Sequence, residues 1–125
     1  MKKSLKRILA SFLATATVAV GAVGMNASAN GSISVNFSPG GTADLTSTPT
    51  KVTAYTSCTV TCSTITAAIT QTAGGTITGG DNIVSKYNSK SVTCIGTGSG
   101  FTSASSNHEL TTAVTGVYGS RSLTV

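Results

Sequence analysis

The stretch Lys51–Gln71, KVTAYTSCTVTCSTITAAITQ, constrains the fold of this chain more than any other. It runs for 21 residues without Gly or Pro and carries two of the three cysteines. Thr, Val and Ile are β-branched and suit a pleated, half-buried surface. Small or apolar residues fall at Val52, Ala54, Cys58, Val60 and Cys62, a period of two that places them on one face of a strand. Tyr55, Ser57, Thr59 and Thr61 take the other face. After Ser63 the phase changes to odd numbers at Ile65, Ala67 and Ile69. A slip of one residue exchanges the faces of a strand, so the pattern predicts a bulge or tight bend near Cys62–Thr64. It also predicts two strands, since strands usually have roughly 3–10 residues.

Cys58 and Cys62 share a face four residues apart, which is about 13 Å in an extended strand. A disulfide needs Cα atoms within roughly 7 Å. The two can pair with each other only if the strand breaks between them. Cys94 lies in a further strand signal, Ser91–Ile95, on the same face as Val92. The preferred reading is a bridge from Cys62 or Cys58 to Cys94 across the core. One cysteine is then left over, either buried as a small hydrophobe or available to link two chains as a disulfide-bonded homodimer.

Residues 1–29 read as a helical secretory signal peptide. Lys2, Lys3, Lys6 and Arg7 form its basic start, Ile8–Val23 is apolar and uncharged, and Ala27-Ser28-Ala29 is a small-x-small cleavage site. The apolar run is short for a membrane span, which takes around 20 residues, so no stable span is expected after cleavage. The whole chain has a formal charge of +5, but four basic residues and no acids belong to this segment. The remainder keeps Lys51, Lys86, Lys90 and Arg121 against Asp44, Asp81 and Glu109. No basic cluster is left to track phosphates, which argues against nucleic-acid binding. Residues 30–125 are enough for one domain with a modest core. Export makes disulfide pairing the first reading of the cysteines and an extracellular location the expected one.

Strand signals recur along the rest of the chain. Ile33, Val35 and Phe37 alternate with Ser32, Ser34 and Asn36, and Pro39-Gly40-Gly41 ends that run as a turn. Ala43 and Leu45 suggest a short strand. Gly79-Gly80-Asp81-Asn82 is a turn signal, Lys86–Lys90 reads as a polar loop, and Gly96–Gly100 as a flexible connector. Glu109–Tyr118 and Arg121–Val125 read as a hairpin around Gly119-Ser120. No helical period of any length occurs after the signal segment. Short strands with Gly-rich turns indicate an all-β fold, a small antiparallel β-sandwich or partly closed barrel.

Catalytic chemistry finds little support. His108 stands alone beside Glu109, and neighbours on a strand point to opposite faces. A triad assembled in three dimensions would have to use it, but the sequence reading is a surface histidine at a strand start. Cys58, Cys62, Cys94 and His108 have the number of ligands for zinc, against which stand their separation and disulfide formation. Asp81 and Asn82 are too few for Ca2+, which takes about 6–8 oxygens. No cofactor or metal is therefore expected. Thr-x-Thr recurs at irregular spacing, and β-propensity accounts for it. Thr and Ser supply 21 and 15 of residues 30–125.

The stretch Ser103–Val125, SASSNHELTTAVTGVYGSRSLTV, with a Ser-rich lead into His108 and then Thr112-Ala113-Val114, resembles the lactococcin 972-like bacteriocins. That resemblance implies a small β-sandwich acting on the cell envelope. The tryptophan-containing C-terminal segment of that family is absent, as this chain has no Trp. The leading expectation is a secreted, non-enzymatic protein that binds a cell-surface or envelope component. Tyr55, Tyr87, Tyr118 and His108 are its candidate contact residues, the tyrosines having core or rim packing as the other reading. A secreted antimicrobial is the alternative.

Overall fold

The alternation of Lys51–Gln71 is realised as one strand. The computed structural model describes residues 30–125, and in it β3 runs unbroken over Lys51–Ala73. The expected division into two strands is thus corrected, while the phase change falls where the pattern put it. Even-numbered Val52, Ala54, Thr56, Cys58 and Cys62 are buried, and then odd-numbered Ile65, Ala67 and Ile69. The strand survives this slip because it changes partners there. Its first half pairs with β2 (Gly41–Ser47) and its second half with β6 (Ser103–Thr112). Along its other edge, β5 (Ile83–Gly98) pairs with both halves. Register shifts between Ser57 and Cys62 against β5, and between Cys62 and Thr64 against β6. Extra residues of this kind bend a strand and increase its twist, so β3 turns a corner at Thr59–Thr61, which are exposed.

The remaining strands extend the two halves. β1 (Gly31–Phe37) pairs with β2, β4 (Ile77–Gly80) with the end of β5, and β7 (Tyr118–Thr124) with β6. The result is a seven-stranded antiparallel sheet, not closed, that bends at β3 and β5 so that its halves face each other. No helix occurs among the described residues, and none there is long and apolar enough to cross a membrane. The expected signal peptide lies outside the described residues.

Three local expectations are corrected. Lys86–Lys90 is strand, with Lys86 and Tyr87 opposite Ile65 and Thr64. It reads as a loop because most of its side chains are exposed on both faces. The hairpin between β6 and β7 turns at residues 113–117, where Gly116 takes φ 67° and the Thr112 hydroxyl accepts the Val117 amide at 3.0 Å. Gly119 and Ser120 lie inside β7 instead. Gly96 and Gly98 belong to β5, and they are glycines because neighbours fill the space of a side chain. A Cβ on Gly98 would lie 2.6 Å from the Phe101 ring, and one on Gly96 2.6 Å from Ile77.

The core lies between the two halves. Ala43, Leu45, Val52, Ala54, Val92 and Cys94 come from one side, and Ile65, Ala67, Ile69, Leu110 and Leu123 from the other. Ile33, Val35 and Phe37 of β1 cover its margin. β7 docks on the β1–β2 turn through Gly119, whose Cβ would lie 2.0 Å from the Ser38 carbonyl oxygen and 2.8 Å from Pro39. Gly119→Ala must push these apart, and overpacking of this kind costs about 1–3 kcal/mol. The expected result is a lower urea midpoint with an unchanged slope. An unchanged midpoint would mean that the contact yields freely.

Candidate functional site

Two arrangements of polar side chains stand out, one inside the fold and one on its surface. The inner one is built on His108. Its side chain follows Leu110 and Ser106 on the inward face of β6 and is 0% exposed. The sequence reading of His108 as a surface contact is therefore corrected. The alternation that sends Glu109 and Asn107 outward sends His108 inward.

The imidazole has a partner at each nitrogen. Nδ1 lies 2.8 Å from Thr56 Oγ1 and Nε2 lies 2.7 Å from Ser106 Oγ. Thr56 donates its own proton to the Thr66 carbonyl at 2.8 Å. Its oxygen must then accept from His108, so Nδ1 carries the proton and Nε2 accepts from the Ser106 hydroxyl. The chain of bonds ties β6 to both halves of β3. Burial pushes the His108 pKa down from 6.5 to about 4, because the charged ring would lose its hydration. A serine and a histidine within hydrogen-bond reach are the parts of a nucleophile–base pair. Here Thr56, Ser106 and His108 are each at most 1% exposed, and the third position is a threonine, not an acid. What this geometry performs is the neutralisation of buried polar groups by one another.

The outer arrangement crosses the second half of the sheet. Tyr87 of β5 stands opposite Thr64 of β3, Thr64 opposite Thr111 of β6, and Thr111 opposite Tyr118 of β7. Directly paired residues share a face, so these four form one row with a tyrosine at each end. Tyr87 is 73% and Tyr118 59% exposed. The next row is Ser85, Thr66, Glu109 and Ser120, with Ser85 and Thr66 hydroxyls 2.7 Å apart. Beyond it, Asn107 donates to the Glu109 carboxylate at 2.8 Å and accepts from Ser122 at 3.2 Å. A shallow depression of about 160 Å³ lies between the rows, bounded by Thr64, Thr66, Glu109, Thr111 and Tyr118. Tyr55 is apart from this surface. It stands between Asp44 and Thr93 on the outside of the other half and is half-buried. The Asp44 carboxyl there is raised above its usual range by burial, partly offset by a hydrogen bond from Ser34. Of the four contact residues read from the sequence, two come together, one lies on the opposite outer face and one is internal. The polar members of the surface, Thr64, Thr111 and Glu109, carry no sequence signal apart from alternation. Only the strand register shows that they are neighbours.

The cysteines are all buried free thiols. Cys94 stands opposite Ala54, four residues before Cys58, and its thiol donates to the Asp81 carbonyl at 3.3 Å. The expected bridge from Cys94 to Cys58 or Cys62 is thereby corrected: register sets it along the strand from the other two. Burial raises the Cys94 pKa, with a smaller lowering from a hydrogen bond to the Ile69 backbone. Cys58 and Cys62, in contrast, flank the corner of β3 and are both buried in the core. Burial first, then hydrogen bonding and charge interaction with Cys58, push the Cys62 thiol up to about 11. No group of three or more His, Cys, Asp or Glu that could hold a metal ion occurs among the described residues. Comparison with known proteins gives no match to any protein-family model, any curated protein or any solved structure.

Proposed function

We propose that this is a secreted, non-enzymatic protein with a bent-sheet sandwich fold, which binds a polymeric glycan of the cell envelope through the Tyr87–Tyr118 face. The observation that carries this reading is the row Tyr87–Thr64–Thr111–Tyr118. Three strand spacings separate its ends, about 14 Å at ~4.8 Å per strand. Two exposed rings at that distance suit the apolar faces of sugars a few residues apart on one polymer, since tyrosine joins an apolar ring to a polar tip. The hydroxyls and the single carboxylate between them are hydrogen-bond partners for sugar hydroxyls. A shallow polar surface with two aromatic ends favours an extended ligand over a small one, which would need a deeper pocket. The non-enzymatic part of the reading draws support from the enclosure of His108, the chain's single histidine.

Sedimentation of residues 30–125 with insoluble cell-wall glycan tests the proposal. Tyr87→Ala and Tyr118→Ala are each expected to weaken binding about tenfold, or ~1.4 kcal/mol, as aromatic anchors do. Tyr55→Ala, on the opposite face, is expected to leave it unchanged. Equal effects of all three, or retention of the wild-type protein in the supernatant, would overturn the assignment. Growth inhibition by the same protein would favour the antimicrobial reading instead.

A further inference from the structure

We infer that Cys58 and Cys62 form an intramolecular disulfide across the corner of β3, and that this is the oxidised form of the exported protein. In an extended strand the pair would be about 13 Å apart and could not bond. Three observations remove that barrier. Register against β5 shifts from Ser57 opposite Ser91 to Cys62 opposite Ser89, so the intervening chain bulges and its ends lie closer than in a regular strand. Thr59, Val60 and Thr61 are all exposed in succession, so the chain loops outward while both flanking cysteines turn into the same core. Burial first, and the Cys58 thiol next, push the Cys62 thiol up, so the two sulfurs are near enough to act on each other. Each is otherwise held only weakly, Cys58 to the Pro39 carbonyl at 3.5 Å and Cys62 to that of Val60 at 3.7 Å. Bond formation therefore gives up little.

The oxidant is a disulfide, either a small one such as oxidised glutathione or that of a thiol–disulfide oxidoreductase. The Cys58 thiolate, the more accessible of the two at 8% exposure, attacks it, forming a mixed disulfide and releasing one thiol. The Cys62 sulfur then displaces the second thiol after losing its proton. In sum, two cysteine thiols and one disulfide become one cystine and two thiols. Cys94 remains a thiol. At 0% exposure and bonded to Asp81, it is not placed to link two chains.

The test is a count of free thiols under denaturing conditions, on residues 30–125 refolded with oxidised and reduced glutathione and on the full chain expressed with export. One thiol per chain is expected instead of three, with a proteolytic map joining Cys58 to Cys62. Cys94→Ser should leave none, whereas Cys58→Ser and Cys62→Ser should each leave two. Three thiols in the folded wild type, a link that includes Cys94, or a disulfide-bonded dimer would each overturn the inference. The readout is independent of glycan binding, so its failure leaves the surface assignment standing.

Discussion

Phe101→Ala is expected to lower the stability of the folded domain by about 3–5 kcal/mol, the range for deleting a buried aromatic ring. Phe101 is the largest fully buried side chain and is 1% exposed. It belongs to the segment between β5 and β6, and its amide is held by the Pro49 carbonyl at 3.1 Å. The ring occupies a recess floored by glycine: a Cβ on Gly98 would lie 2.6 Å from it and one on Gly75 3.4 Å. Gly98 cannot move in to fill a cavity, since its backbone is fixed by pairing with Ile77 of β4. The cost should therefore fall toward the upper end of the range. A domain of this size has roughly 5–15 kcal/mol in total, so the variant sits close to unfolding at room temperature. Urea titration reads the loss, with Phe101→Leu expected to recover more than half of it. A loss under about 1 kcal/mol would show that the recess collapses on its own.

Phe101 also marks what the sequence does and does not make legible. The core of β3 could be read because alternation is a local signal, and the phase change at Ser63 located the bend that joins the halves of the sheet. The burial of Phe101 has no local signal, because two of its partners, Gly75 and Pro49, are distant in sequence. The same holds for the surface. Tyr87 and Tyr118 could be singled out as exposed aromatics, but their alignment arises from three successive strand registers. The burial of His108 escapes the sequence for a related reason. A histidine after Ser and Asn looks solvated, and one of the two hydrogen bonds that satisfy it when buried is made with Thr56, far away along the chain. The position of Cys94 along the strand escapes the sequence as well, because a common face says nothing about distance along it.

Acidification from pH 7 to pH 4 is expected to remove about 3 kcal/mol of stability through His108 alone. The folded protein holds its ring neutral down to about pH 4, while the ordinary value is 6.5. Between those limits the unfolded chain binds a proton that the folded one does not, so lowering the pH favours unfolding. The contribution is complete above the unfolded value, is lost as pH falls from 6.5 toward 4, and levels off below. The cause is desolvation of a ring whose two nitrogens face only the hydroxyls of Thr56 and Ser106. Protonating Nε2 would also turn the acceptor for Ser106 into a donor, so that hydroxyl would have to rotate away. Asp44 works in the opposite sense. Burial raises its pKa, so its contribution is present at low pH and is lost as pH rises through the folded value. The two effects are separable with His108→Leu. That variant loses the hydrogen bonds and is less stable at pH 7, but its stability should no longer fall between pH 6.5 and 4. Urea midpoints across that interval decide the matter, because a slope that survives in His108→Leu would have to come from another group.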